Sequence, residues 1–260
     1  MSTALFNSPT TASVVATAAA SNTNDNMTLA GAARVVNGCT MTVPQWMAVK
    51  SGQVCQSSIS RIIHCLQSGG VIALPTDTLY GVASSLEHCQ RLHDIKARDH
   101  RKPVAICVAD VMEIHKYADV TVPSSLLHSL LPGPYTLVFN RSSHLPSHVN
   151  SSTNLVGVRI PDHDLIREIC RKFGAPLALT SANRSNDISA LCVQDFESLW
   201  PELDLIVDQG PISSQSRTGS TVLDLSVQGQ YSVIRDGCAD RSKLEQLLED
   251  HHIVKKGTDR

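Results

Sequence analysis

Lys96, Arg98, Arg101 and Lys102 crowd one short stretch, with Arg91 upstream and Asp94 and Asp99 among them. Fixed positive charge in one loop suits an anion with many oxygens, a polyphosphate above all. Taken alone, the cluster reads as a solvated helix end, where cations favour the macrodipole. The apolar run at 104–108 argues for more, because a buried strand there holds the loop still. Ser181-Ala182-Asn183 offers donors and acceptors at the end of another apolar run. Thr76, Asp77, Thr78 and Tyr80 form a polar patch directly after residues 71–75. Either segment by itself is also an ordinary hydrogen-bonded turn. Arg159 follows Val156-Gly157-Val158 and precedes Pro161, at the end of a strand. A planar guanidinium there can clamp a carboxylate with two parallel bonds, or serve a structural ion pair. Gly219-Ser220-Thr221 can present backbone N–H groups and a hydroxyl to phosphate. Arg235-Asp236-Gly237 closes the strand that follows.

Those residues need elements to bring them together, and the periodicity supplies them. Ile59, Ile62, Ile63 and Leu66 recur at helical spacing until Gly69-Gly70 stops the helix. A buried strand is predicted at 71–75 and a short one near Val82. A helix follows at 87–97 and a strand at 104–108. Helices are expected near 110–117 and 123–131, and Pro132-Gly133-Pro134 turns the chain into a strand at 135–139. A strand at 155–160 precedes a helix at 162–173, with Asp162 as its cap. Then come a strand at 176–179, a helix near 193–200, strands near 205–207, 221–225 and 231–234, and a helix at 241–249. Strands alternating with helices predict an α/β domain with ligands bound at strand ends. Some neighbouring strands are joined too tightly for helical crossovers, so the sheet should be mixed.

Composition narrows the chemistry. The chain has 260 residues, a net charge of −2 and 4% aromatics, so a polyanion site must be a local cluster. Neither a GxxxxGK[ST] loop nor a GxGxxG turn occurs. Eight cysteines are scattered without CxxC spacing, which indicates neither a zinc ribbon nor a redox pair but core thiols of a reducing compartment. His144 and His148 have helical ligand spacing, but Pro146 between them predicts a loop. No apolar run reaches the length of a membrane span. The first ~45 residues are rich in Ser, Thr, Ala and Asn, lack periodicity and read as disordered. Arg34 is their only basic residue, a weak match to a mitochondrial transit peptide. The expected organisation is therefore a tail at 1–50, one domain at 51–245 and a tail at 246–260.

Read as a series, the motifs point further. Residues 70–81 (GVIALPTDTLYG), Lys96-x-Arg98, Lys102-Pro103, Leu131-Pro132-Gly133-Pro134, Val158-Arg159-Ile160-Pro161, Thr180-Ser181-Ala182-Asn183, Gly219-Ser220-Thr221-Val222 and Ile234-Arg235-x-Gly237 resemble the signatures of the YrdC/Sua5 family in order and spacing. The likeness runs from about residue 57 to about residue 240 and is nearest to the eukaryotic YrdC-domain members. It implies a YrdC-like fold, a twisted mixed sheet flanked by helices with a concave basic cleft. It implies an L-threonylcarbamoyladenylate synthase, a nucleotidyltransferase joining L-threonine, bicarbonate and ATP with release of pyrophosphate. The product serves N6-threonylcarbamoyladenosine formation on tRNAs that read ANN codons, through a separate transferase of the KEOPS assembly or its mitochondrial counterpart. On that resemblance Lys96, Arg98, Lys102, Asn183, Ser220 and Arg235 hold ATP. Thr78, Cys107, Arg159 and Ser181 hold threonine, and Mg²⁺ travels on the triphosphate. Some relatives carry His at the position of Cys107 and Asn at that of Lys102. A cytoplasmic protein with a mitochondrial pool is expected. Other roles on the same fold are a double-stranded RNA-binding module with weak RNA affinity, a non-catalytic scaffold, or the related domain of hydrogenase-maturation carbamoyltransferases. Low net charge and few aromatics disfavour the first, the intact motif set the second, and the lack of acylphosphatase-like and zinc-finger segments the third.

Overall fold

Apolar runs punctuated by Gly and Pro divide the chain into short elements, and the computed structural model keeps those divisions. It describes residues 44–49, 55–97, 99–185, 187–213 and 216–257, and the backbone alone of three short strands before residue 42. In chain order these are β1 (Leu29–Ala30), β2 (Arg34–Val36), β3 (Cys39–Met41), β4 (Gln45–Ala48), α1 (Gln56–Gln67), β5 (Ile72–Pro75), β6 (Tyr80–Ser85) and α2 (Gln90–Ile95). There follow β7 (Ala105–Cys107), α3 (Val111–Tyr117), β8 (Ala118–Asp119), α4 (Ser124–Leu130), β9 (Tyr135–Arg141), β10 (Leu155–Arg159) and α5 (Asp164–Phe173). The chain continues through β11 (Leu177–Ser181), β12 (Leu205–Asp208), β13 (Thr221–Asp224), β14 (Gln230–Arg235), α6 (Arg241–Asp250) and β15 (Val254–Lys255).

Among the described residues one mixed sheet runs β1-β4-β12-β5-β6-β11-β7-β10-β9-β13-β14-β15, with β8 added to β9. The tight link from β5 to β6 makes an antiparallel pair, whereas β7 and β10 are parallel and separated by a long excursion. Side chains alternate between the faces. Ala73, Tyr80, Val82, Ile106, Val156 and Val158 point into the larger core. Ile72, Leu74, Ala83, Cys107, Leu177 and Leu205 point into a smaller one beneath α1 and α5. Helix α1 buries Ile59, Ile62 and Leu66 there, and α5 buries Leu165, Ile166, Ile169 and Cys170. Each such side chain stabilises by about 1.5–3 kcal/mol. Gly174, at φ +74°, ends α5 in the left-handed conformation that favours glycine. The helical layer stops there. The stretch of the same sheet face formed by β9, β10 and β13 continues past it, and the cavity described below opens on that stretch.

The structure departs from the sequence reading at the ends of elements and of the domain. The expected helix at 87–97 is a 3-10 turn, Leu86–His88, followed by α2. The helix near 193–200 is a 3-10 stretch, Val193–Glu202, broken at Phe196 and containing Pro201. Asp162 does not cap α5: the cap position is His163, with no side-chain bond. The backbone N–H of Asp162 donates to Asp77 Oδ2 instead (3.1 Å). The domain also extends beyond 51–245. Strand β4 lies inside the sheet, parallel to β12, with Met47 fully buried and Trp46 set edge-on to Trp200 at 5.1 Å. Four residues are too few for periodicity to reveal. At the other end Leu248 and Ile253 are buried and β15 pairs with β14, so residues 246–257 belong to the domain. Of the tail expected at residues 1–50, residues 1–28 lie outside the described residues. Among the described residues no helix is long and apolar enough to cross a membrane.

Candidate functional site

A cavity of about 740 Å³ opens where the sheet face emerges from under α5. Small side chains on four strands make its floor: Gly81, Ala105, Thr136 and Gly157. A Cβ on Gly157 would stand 3.0 Å from Thr136 Cγ2. The recess therefore depends on residues that leave space.

One end is polar. Arg159 closes β10, and its side chain is about nine-tenths buried. Its Nη2 donates to Asp77 Oδ1 (2.5 Å), Thr78 Oγ1 (2.5 Å) and, more weakly, Thr76 Oγ1 (3.4 Å). Its Nε is buried without a hydrogen-bond partner. Buried polar atoms are nearly always satisfied, so this orphan, in a residue that lines the cavity, is an exception. Thr76 donates its hydroxyl to Leu79 O (2.7 Å) and accepts from the N–H groups of Thr78 and Leu79, which fixes the turn after β5. Arg159 was expected to be a carboxylate clamp or a structural ion pair. It forms the ion pair and still lines the cavity.

Lys96 ends α2 and turns inward, only 3% exposed. Its Nζ donates to the Ser181 carbonyl, to Ser181 Oγ (3.4 Å) and to Asn183 Oδ1 (3.3 Å). Ser181 Oγ donates to Asn183 Oδ1 (2.5 Å) and accepts weakly from Lys96, which leaves one lone pair to accept from a ligand. Asn183 Nδ2 donates to the carbonyls of Arg184 and Asp187, both at 2.9 Å. Lys96 and Asn183 thus stand behind Ser181, outside the cavity lining, and order the segment that Ser181 presents.

The opposite wall is the turn before β13. Arg235 donates through Nη2 to Ser220 O (2.9 Å) and Ser220 Oγ (3.3 Å), and Ser220 Oγ meets Thr136 Oγ1 at 2.8 Å. Gly237 lets this wall close. A Cβ there would fall 2.2 Å from Thr221 N and 2.3 Å from the Ser220 carbonyl carbon. Burial first, and then the like charge of Arg159, push the Arg235 guanidinium below its usual pKa.

Four arginines line the cavity, Arg101, Arg159, Arg217 and Arg235, with no carboxylate among the lining residues. The expected basic character is tempered, because Arg101 pairs with Asp99, Arg159 with Asp77 and Arg217 with Asp195. Arg217 was missed by sequence reasoning. It stands alone in a polar stretch, and only its position before Gly219-Ser220 hinted at a role. Two further expected residues stand outside the lining. Cys107 lies beneath α5, with Cys170 Sγ at 3.8 Å from its Sγ, and does not reach the cavity. It shares a sheet face with the lining residue Ala105, but two residues along a strand carry it under the helix. Lys102 is exposed and outside the lining, because the turn that bonds Lys102 N to Asp99 O (2.9 Å) aims successive side chains apart. Arg98 lies outside the described residues.

The Sua5/YciO/YrdC family model, described as telomere recombination, matches residues 64–237. The threonylcarbamoyl-AMP synthase of Bos taurus is 49% identical over 196 residues, covering 73% of this chain and 71% of that one. The crystal structure of P. abyssi Sua5 complexed with L-threonine matches with a TM-score of 0.72 at 23% identity, over 81% of this chain and 62% of that one. E. coli YciO gives a TM-score of 0.67 at 21% identity, over 76% of this chain and 97% of its own. At these identities the two structures speak for the fold alone.

Proposed function

The chain belongs to the Sua5/YciO/YrdC family, as its motif series implied, and from that premise we propose that it is an L-threonylcarbamoyladenylate synthase, a nucleotidyltransferase acting on L-threonine, bicarbonate and ATP. The carrying observation is the cavity itself. It is rich in arginine and free of lining carboxylates, and it has an orphaned buried Nε at its polar end. The synthase name of relatives near half identity supports the same reading.

The chemistry asks for two anions in one confined space. Threonine's amine and bicarbonate-derived carbon dioxide give a carbamate. A carbamate oxygen attacks the α-phosphorus, the bond to the bridging oxygen breaks, and pyrophosphate leaves. The substrate supplies its own nucleophile, so positioning and charge stabilisation suffice. Arg159 would take the threonine carboxylate, and Ser181 Oγ would accept from its amine. Arg235, Ser220 and Arg217 would face the nucleotide, with Lys96 and Arg98 adding charge. The hydroxyl and guanidinium lining suits Mg²⁺ carried on phosphate oxygens and water, where it would offset the charge of the triphosphate. The adenylate would pass to a separate tRNA threonylcarbamoyltransferase.

Protein incubated with ATP, bicarbonate and labelled threonine should yield adenylate and pyrophosphate only when all three are present. Equal pyrophosphate release with serine, or without bicarbonate, would contradict the substrate assignment.

A further inference from the structure

Arg159 Nη2 has two protons and three oxygens around it, so that end of the guanidinium is saturated. The strongest of the three is the carboxylate of Asp77, whose side chain is as buried as its partner's, at 9% against 10% exposed. Asp77 is itself fixed from a second side. Its Oδ2 accepts from the backbone N–H of Asp162, which ties the turn after β5 to the junction of β10 and α5. The Nε is buried without a partner, and Arg159 still lines the cavity, so its contact with a ligand there is not made through Nη2. Arg235 lines the same cavity and carries a like charge. Without a counter-ion the two guanidiniums would repel in a partly desolvated space, and Arg159 would have only hydroxyls to hold it.

We propose that Asp77 is the positioning residue of the amino-acid end of the cavity, fixing Arg159 by Nη2 so that the rest of the guanidinium is held in place for a substrate carboxylate. This rests on the threonine site proposed above. Asp77 touches no reacting atom and acts through Arg159. The ion pair exists before the ligand arrives, so Arg159 does not have to be ordered at the moment of binding, and less affinity is lost to that ordering.

The test is calorimetric titration of the full chain with L-threonine and, separately, with ATP, for wild type, Asp77→Asn, Asp77→Ala and Asp77→Glu. Asp77→Asn keeps the shape and one acceptor but removes the charge, and carries the test if Asp77→Ala unfolds. It should weaken threonine binding roughly tenfold, the scale of a charge-assisted contact, and leave ATP within about twofold. Asp77→Glu should restore part of the loss. In turnover the threonine KM should rise while kcat holds within a few-fold, a split that general loosening of the fold would not give. Unchanged or tighter threonine binding by Asp77→Asn would overturn the proposal, because Asp77 would then compete with the ligand for Arg159. So would a wild-type chain that binds no amino acid. If wild type binds threonine but makes no adenylate, and Asp77→Asn loses that binding, the synthase reading falls and the positioning role stands.

Discussion

Lys96 and Cys107 show how residue type and local partners decide a role. Lys96 is nearly buried, and its charge is shared among Ser181 O, Ser181 Oγ and Asn183 Oδ1. Removing it deletes a cation beside the cavity and leaves acceptors short of a donor, each such bond being worth about 1.5–3 kcal/mol. Lys96→Ala should therefore lower kcat/KM for ATP by roughly 10–100-fold and also lower the melting temperature, since the 181–187 segment loses its anchor. Wild-type values of both would show that Lys96 neither orders the segment nor serves the nucleotide. Cys107 is the opposite case. Its thiol packs against Cys170 in a closed apolar layer, where the hydrogen bond between the two thiols, and then burial, hold the Cys170 pKa well above the usual range. Cys107→Ala should leave the threonine KM within about twofold and cost about 1 kcal/mol of stability. A large rise in KM, measured by pyrophosphate release, would return Cys107 to the site.

At the scale of elements, the site depends on edges meeting closely. The end of β14 lies directly on the turn before β13, with no room for a side chain at Gly237. Gly237→Ala should push Arg235 off Ser220, cost about 1–3 kcal/mol from overpacking and weaken ATP binding in the same step. Titration with ATP and a denaturant melt check both effects, and unchanged ATP affinity would take the β13–β14 wall out of the nucleotide site. Strand β4 makes a different contribution. It contributes no residue to the cavity lining, yet Met47 is fully buried in the core beneath α1 and α5. Met47→Ala should cost about 2–5 kcal/mol, and a chain beginning at residue 51 should be less stable still. If urea denaturation gave the shortened chain wild-type stability, β4 would not be part of the folding unit.

The molecule as a whole uses one sheet face twice, roofed by α1 and α5 on one stretch and open as a cavity on the next. Cation–anion pairs rim that opening, and one of them gives a pH signature. The hydrogen bond from Arg217, ahead of other contributions, holds Asp195 at about 2 against a usual 3.8. A carboxylate depressed on folding stabilises the protein above its unfolded pKa. That contribution is lost as pH falls from about 4 through about 2. The pair is partly exposed, so the effect is a slope and not a collapse. Asp195→Asn should flatten the acid limb of a stability–pH curve in that window by lowering stability modestly at neutral pH, where the carboxylate contributes, and little at pH 2. An acid limb identical to wild type would mean that the pair does not persist in solution.

Much of this protein was legible in the sequence. Apolar runs bounded by Gly and Pro located most of the strands and helices, because burial on a period of two or about four leaves its mark on residue type. The order and spacing of short polar motifs named the family, and Thr78, Arg159, Ser181, Ser220 and Arg235 do converge on one cavity. Tertiary structure alone decided which candidates face that cavity. Ala105 and Cys107 share a face of one short strand, but α5 covers only the second. Lys96 and Asn183 support from behind, and Arg101 lines the cavity in place of Lys102. The ion pairing of Arg159 with Asp77 joins residues far apart in the chain. Strand β4 is too short to show periodicity and is held by β12, more than 150 residues away in sequence. Pairing partners and the reach of a covering helix are long-range properties, and local residue pattern does not encode them.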